Sequence, residues 1–317
     1  MDRITRYSGL KNRSYVIAKH VRENSMRSPK DRKLAKLAND VSQCAHYLVF
    51  HDYFTVDQLR LVKAITCKKT LLCPFCAARR AAKQLEKNLP RVKQVLSLQP
   101  ALKPVMITLT VKNGPNLQER YLHLKQSYAR LQQRRRDALK GKGFSQFSRV
   151  AGGIHSYEFT KNTEGWHPHI HIIALLDTWI DQKALSAEWL DITGDSFIVD
   201  VRRIQPGEDG LASGMLEVFK YALKFQDLAV EDTFHAHTVL NKRRLIGCFG
   251  VLRGLQEPES LLDDPLDGLP FHEYSYIFNP ASGAYDLEKT RFHLTAADNS
   301  YTDRQRTDPA RPPLPPD

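Results

Sequence analysis

Three histidines at alternate positions, His167, His169 and His171, close the stretch Glu158-Phe-Thr-Lys-Asn-Thr-Glu-Gly-Trp-His-Pro-His-Ile-His171. Residues 168 to 176 are mostly apolar and follow a polar segment containing Gly165, which predicts a strand entered from a hairpin turn. Alternate residues of a strand share a face, so the three imidazoles point the same way. Gly153 to Thr160 reads as the partner strand, and a turn centred between Thr163 and Glu164 sets Glu158 opposite His169. A slip of one residue would turn Glu158 to the other face. Imidazoles with a carboxylate on rigid strands suit a divalent cation that polarises a phosphoryl oxygen. One histidine in a strand is ordinarily structural, whereas a buried row is costly to satisfy without a cation or acids. His155, on the partner strand, is expected to face away from Glu158.

A second group of reactive residues lies in Glu217-Val-Phe-Lys-Tyr221-Ala-Leu-Lys224. Leu216, Phe219 and Leu223 recur at i, i+3, i+7 within a segment running from Leu211 to Leu228, which predicts a helix. Glu217, Tyr221 and Lys224 then form one narrow stripe beside the apolar one. A phenol with a pKa of about 10 is a poor nucleophile, and a basic neighbour or a cation must favour its phenolate. Glu217 and Lys224 could serve, although such triplets also decorate solvated helices.

Four of the five cysteines, Cys44, Cys67, Cys73 and Cys76, fall within 33 residues. In a reducing compartment this clustering favours tetrahedral zinc over disulfides, closing a module too small for its own core. Cys44 is the least secure ligand, with His46 or His51 as its replacement, and the alternative is ordinary buried thiols. Cys248 stands apart in an apolar stretch and reads as core.

Taken together, these segments resemble the plasmid rolling-circle replication initiators of the HUH endonuclease superfamily, in the single-tyrosine branch with a Glu four residues before the Tyr. The resemblance rests on Ile107-Thr-Leu-Thr110, Gly152-Gly-Ile-His-Ser-Tyr-Glu158, Gly165-Trp-His-Pro-His-Ile-His171 and Glu217-Val-Phe-Lys-Tyr-Ala-Leu-Lys224. Cys73-Pro-Phe-Cys76 with Arg79-Arg80, and Arg243-Arg-Leu-Ile-Gly247 with Phe249-Gly250, belong to it too. It implies a metal-dependent DNA strand transferase. His169 and His171 would bind Mg or Mn, with Glu158 as third ligand or His167 in its stead. Tyr221 would attack the scissile phosphate, leaving a 5′-phosphotyrosine and a free 3′-OH, and Glu217 would activate water at termination. The implied partners are plasmid origin DNA, single-stranded or extruded as a hairpin at the nick and duplex for recognition, with a host helicase and DNA polymerase. A relaxase or single-strand transposase of the same superfamily is the alternative, and a non-catalytic zinc-containing DNA-binding regulator is another.

The elements that must carry these residues follow from the rest of the chain. Val105 to Val111 predicts a strand, Leu117 to Leu131 one face of a long helix ending in Arg134-Arg-Arg136 and Lys140, Trp179 to Leu190 a helix, and Phe197 to Arg203 a strand. With the histidine hairpin the order is β, α, β, β, α, β. That predicts an α+β fold, an antiparallel central sheet with helices on one face in the ferredoxin-like manner, preceded by the Cys-rich zinc module. The expected organisation is a basic segment over 1–40 (a poorly packed entry, then a short basic helix), a Cys-rich module over 41–100, the nickase domain over 101–255, a loop and docking segment over 256–295, and a disordered tail over 296–317. Within these, Val56 to Ile65 has helical spacing, and Pro74 to Leu98 predicts a helix interrupted near Pro90 with Arg79, Arg80, Lys83, Lys87 and Arg91 on it. Glu257 to Gly268 reads as an acidic linker, and the aromatics between 271 and 295 as a strand pair. The net charge of +12 fits a polyanionic partner. With no apolar run of 18 residues, no signal peptide and no Gly-rich nucleotide loop with Lys, the expectation is a cytoplasmic protein without a membrane or helicase segment.

Overall fold

The computed structural model describes residues 3–27, 32–205, 207–220 and 227–293. In chain order the elements are α1 (Arg3–Arg27), α2 (Arg32–Gln43), β1 (Tyr47–Tyr53), β2 (Gln58–Ala64), α3 (Pro74–Leu98), β3 (Lys103–Thr110), α4 (Leu117–Ala138), β4 (Val150–Asn162) and β5 (Gly165–Leu176). There follow α5 (Gln182–Thr193), β6 (Val199–Arg203), α6 (Glu208–Phe219), α7 (Val230–Leu240), β7 (Ile246–Gly250), β8 (Phe271–Asn279) and β9 (Ala284–His293). Two units emerge: residues 1–79 with 260–317, and residues 80–259.

The first unit is built on an antiparallel sheet of order β2-β1-β8-β9. The aromatic strand pair forms as expected and also pairs with β1, more than 200 residues earlier in the chain. The loose N-terminal entry is corrected, because α1 is a long helix with Tyr7, Ile17 and Val21 buried. Tyr7 packs on Phe50 and edge-on to Phe75. The buried side of α1 also carries Lys11 and Ser14, which masks its periodicity. Val56 to Ile65 is likewise corrected from helix to strand. Its pairing with β1 shifts register between Val49 and Phe50, which interrupts the strand alternation.

The second unit holds the predicted βαββαβ order, with strands arranged β6-β3-β5-β4-β7 and every pair antiparallel. Asn116 caps α4 through the Glu119 amide, and α4 buries Leu117, Tyr121, Leu124, Tyr128 and Leu131. Tyr121 meets Tyr157 and Phe159 edge-on, on the sheet face away from Glu158. The expectation of helices on one face is corrected here. Leu211, Met215, Val218 and Phe219 of α6 and Ala81 and Val92 of α3 pack with Ile154, Ile173 and Leu175, on the other face. The apolar end of that face needs cover, while its polar end cannot supply an apolar surface.

α5 starts at Gln182 rather than Trp179, because Asp181 accepts the amides of Lys183 and Ala184 as an N-cap. α7 had no counterpart in the sequence expectations. α3 runs through Pro90 without a break. Basic residues along it are paired with acids of the chain. In the first unit Arg79 is buried against Asp263, the Tyr7 hydroxyl and the Leu261 carbonyl. In the second, Arg80 and Gln84 share Glu257, and Lys87 reaches Glu259. The acidic stretch thus supplies counter-charges to α3, with Asp263 held in a buried pair. Among the described residues no helix is long and apolar enough to cross a membrane.

Candidate functional site

The hairpin β4–β5 has Glu158 opposite His169, Thr160 opposite His167 and Ser156 opposite His171. On the other side of β5, Thr110 faces His169 and Thr108 faces His171. Five polar positions on the two flanking strands therefore share one face with the imidazole row. His167 and His169 have ring centroids 4.1 Å apart, and His169 and His171 5.8 Å apart and nearly parallel. His171 is held at both nitrogens: Nε2 lies 2.8 Å from a Glu158 carboxylate oxygen, and Nδ1 lies 3.2 Å from Thr108 Oγ1. Glu158 is buried and the three imidazoles are half-buried. Burial pulls the His167 pKa down, against the opposing pull of Glu164 and Glu158. His155 points to the opposite face, where its ring meets Tyr128 at 4.8 Å.

Imidazole nitrogens and a carboxylate side by side match the donor set of a divalent cation. A threonine hydroxyl that orients the His171 ring through Nδ1 is the kind of support a ligating histidine needs. In donor type these residues suit a divalent cation. Thr108 had shown in sequence only as a hydroxyl alternating with Thr110 in an apolar strand, and its partner was not readable.

Glu217 lies in the last turn of α6, partly exposed and paired with Lys220. The helix expected to run on to Leu228 ends at Phe219, since Lys220 takes an extended ψ of 165° while its amide donates to Leu216. Leu211, Met215, Val218 and Phe219 form the packed stripe of α6. Of the expected stripe, Glu217 alone falls on the described helix. Tyr221 and Lys224 lie outside the described residues.

In the first unit Cys44, Cys67, Cys73 and Cys76 converge, their sulfurs all within 4.8 Å of one another. Sγ separations are 3.3 Å for Cys44–Cys76, 3.5 Å for Cys44–Cys73 and 3.7 Å for Cys67–Cys76. That is near the roughly 3.8 Å edge of a tetrahedron with metal–sulfur bonds of about 2.3 Å. Disulfide bonds need about 2.05 Å, and all four are free thiols. Burial pushes the Cys73 thiol up, but hydrogen bonds with Cys44, Cys67, Cys76 and Ser14 more than reverse this and hold it well below its ordinary range. The four residues fit a tetrahedral metal, zinc above all. Cys44 belongs to the cluster, whereas His51 instead stacks on Phe271 and pairs with Glu273.

Two residues beside the cysteines had no sequence signal. Lys11 is fully buried, and its ammonium donates to the Cys44 carbonyl at 2.7 Å and to the Ser42 carbonyl. Ser14 lies 3.5 Å from the Cys73 sulfur. Burial lowers the Lys11 pKa, and the cysteines oppose that shift.

A family model described as replication protein matches residues 58–275. Relatives bearing the name Protein rep include one from Streptococcus pneumoniae serotype 2, 29% identical over 217 residues that cover 63% of this chain and 65% of that protein. One from Bacillus amyloliquefaciens is 27% identical over 297 residues, 81% of this chain and 83% of its own length. One from a Bacillus species is 29% identical over 272 residues, 74% and 84% respectively. The chain thus spans slightly less than two thirds of the streptococcal relative. No solved structure matches. The family match runs from β2 across the imidazole-bearing hairpin and into β8, and the chain belongs to the replication protein family.

Proposed function

We propose that this chain initiates rolling-circle replication of a plasmid by nicking one strand of the double-strand origin and later rejoining or releasing it. The observation that carries the proposal is His171, beside His169 on the polar face and braced between Thr108 and Glu158. That is a supported donor set on rigid strands, which a mere surface histidine lacks. His169 and His171, with Glu158 or His167, would hold Mg or Mn, which when bound offers positive charge to the non-bridging oxygens of a phosphodiester.

Tyr221 is the nucleophile in this proposal. Its phenolate oxygen bonds to phosphorus as the bond from phosphorus to the 3′ oxygen breaks. The DNA 5′ end is left on the tyrosine, and the departing 3′ oxygen takes up a proton. The linkage keeps the energy of the phosphodiester, and the free 3′-OH serves a polymerase as primer. Lys224 offers a cation to the developing charge. At termination Glu217 takes a proton from water, whose oxygen attacks the phosphotyrosyl phosphorus and returns the phenol. The Cys44, Cys67, Cys73 and Cys76 group would hold a structural zinc. Origin DNA, a host helicase and a host polymerase are the partners, in the cytoplasm.

The test is to incubate the full chain with a single-stranded origin oligonucleotide and Mn, then map the modified peptide by mass spectrometry. The expected adduct is on Tyr221 and is lost in Tyr221→Phe. An adduct on another residue overturns the nucleophile assignment, and binding without any adduct favours a non-catalytic DNA-binding regulator.

A further inference from the structure

The turn that follows α4 exposes six consecutive residues, Leu139-Lys-Gly-Lys-Gly-Phe144. Leu139 is 58% and Phe144 74% exposed, among the most exposed large apolar side chains of the described residues. A single exposed apolar residue calls for no explanation, but two within one turn, interleaved with Lys140 and Lys142, do.

This turn is anchored on both sides. Leu139 N–H donates to the Arg135 carbonyl, Lys140 and Lys142 N–H to the Asp137 carbonyl, and Gly141 N–H to the Ala138 carbonyl. Gly141 and Gly143 have φ of +72° and +84°, conformations that let the chain reverse so tightly. Arg135 is buried and donates to the carbonyls of Val150 and Ala151, tying the last turn of α4 to β4. Directly after Phe144 the chain is buried again at Ser145, Gln146 and Phe147. The exposed Leu139, Phe144 and lysines are thus the tip of an anchored element.

We infer that this tip is a docking wedge for duplex DNA, separate from the imidazole face. Cations flanking protruding apolar side chains match a duplex, whose phosphates take the ammonium groups while an apolar wedge enters a base step. Arg136 adds a further exposed cation on the last turn of α4. One to two turns back, an open groove lined by Arg130, Gln133, Arg134, Asp191 and Ile192 continues the surface along the same helix. The tip lies by the end of β5 that pairs with Val150, seven residues from His169, or about 24 Å along the strand. A duplex held there would leave the nicking face free for the single strand. This inference deepens the proposed origin-nicking role by naming the surface that holds the flanking duplex.

The test uses the full chain, a 30-base-pair duplex of mixed sequence with 2-aminopurine at successive central positions, and its single strand. Lys140→Glu with Lys142→Glu is expected to flatten the slope of log affinity against log salt for the duplex by about 1.8, two phosphates' worth. Phe144→Ala is expected to weaken duplex binding about 10-fold at fixed salt and to abolish a 2-aminopurine fluorescence rise, with the slope unchanged. Both variants should cleave a short single-stranded oligonucleotide at the wild-type rate. Unchanged duplex affinity and slope in both variants overturn the inference, whatever the cleavage assay shows. Absent cleavage with the predicted loss of duplex binding would refute the nicking proposal and leave the wedge standing. Circular dichroism checks folding, for which these exposed positions are not needed.

Discussion

His171 Nε2 lies 2.8 Å from Glu158 while its Nδ1 lies 3.2 Å from Thr108, so one ring is clamped by two strands on either side of its own. The clamp orients the ring, and loss of such a support typically costs about 10- to 100-fold in metal affinity. Thr108→Val is therefore expected to weaken Mn binding, measured by titration calorimetry, by that factor. Cleavage should recover at higher Mn, and an unchanged affinity would show that the hydroxyl is ornamental. His171→Ala should bind weakly at any practical concentration.

Glu217 is expected to separate nicking from release. Glu217→Ala removes the proposed base for water and also the partner of Lys220 at the end of α6. Neither loss touches attack by Tyr221, so a single-turnover reaction should form adduct at near the wild-type rate. Hydrolytic decay of that adduct should slow by about 10²- to 10⁴-fold. Equal decay rates in the two proteins would remove Glu217 from the mechanism.

The imidazole face was legible because two local rules meet there. Alternation set His167, His169 and His171 on one side, and the length of the hairpin turn set Glu158 opposite His169, the pairing found. The βαββαβ order and the apolar stripe of α4 were legible for the same reason, since both repeat at short range. What escaped depends on residues far apart. Lys11 meets Cys44 only through the packing of α1, and Thr108 meets His171 only across a strand pair. Arg79 and Asp263 are 184 positions apart, and no periodicity announces a buried ion pair of that separation. β2 escaped because a bulge breaks its alternation.

The cysteine cluster predicts a protein that depends on metal for the stability of its first unit. Cys73→Ser should lower the zinc content from about one ion per chain to near zero, measured by mass spectrometry of metals. Lys11→Met should also weaken zinc retention against a chelator, because it removes a buried cation beside thiolates. It also leaves the Ser42 and Cys44 carbonyls without that donor, each at a cost of about 1–3 kcal/mol. Lys11→Arg, which keeps the charge, should retain more zinc than Lys11→Met. Wild-type zinc retention in Lys11→Met would refute the electrostatic role.

His155 predicts an acid sensitivity in the second unit. Burial, with a smaller contribution from Arg244, lowers its pKa from 6.5 to about 4, and its Nδ1 has no hydrogen-bond partner among the described residues. The ring sits against Tyr128 and so close to Gly247 that a Cβ there would fall 2.6 Å from it. Because the folded pKa is the lower one, the unfolded chain binds the proton first as pH falls below 6.5. Folding is undisturbed by this group above that pH and loses stability between 6.5 and 4, by at most about 3 kcal/mol. In His155→Phe, which can keep the contact with Tyr128, that share of the loss should vanish. Denaturant unfolding of both proteins from pH 7 to 4 measures it: the wild type should fall more steeply by up to one proton, and parallel curves would show that His155 is protonated as readily folded as unfolded.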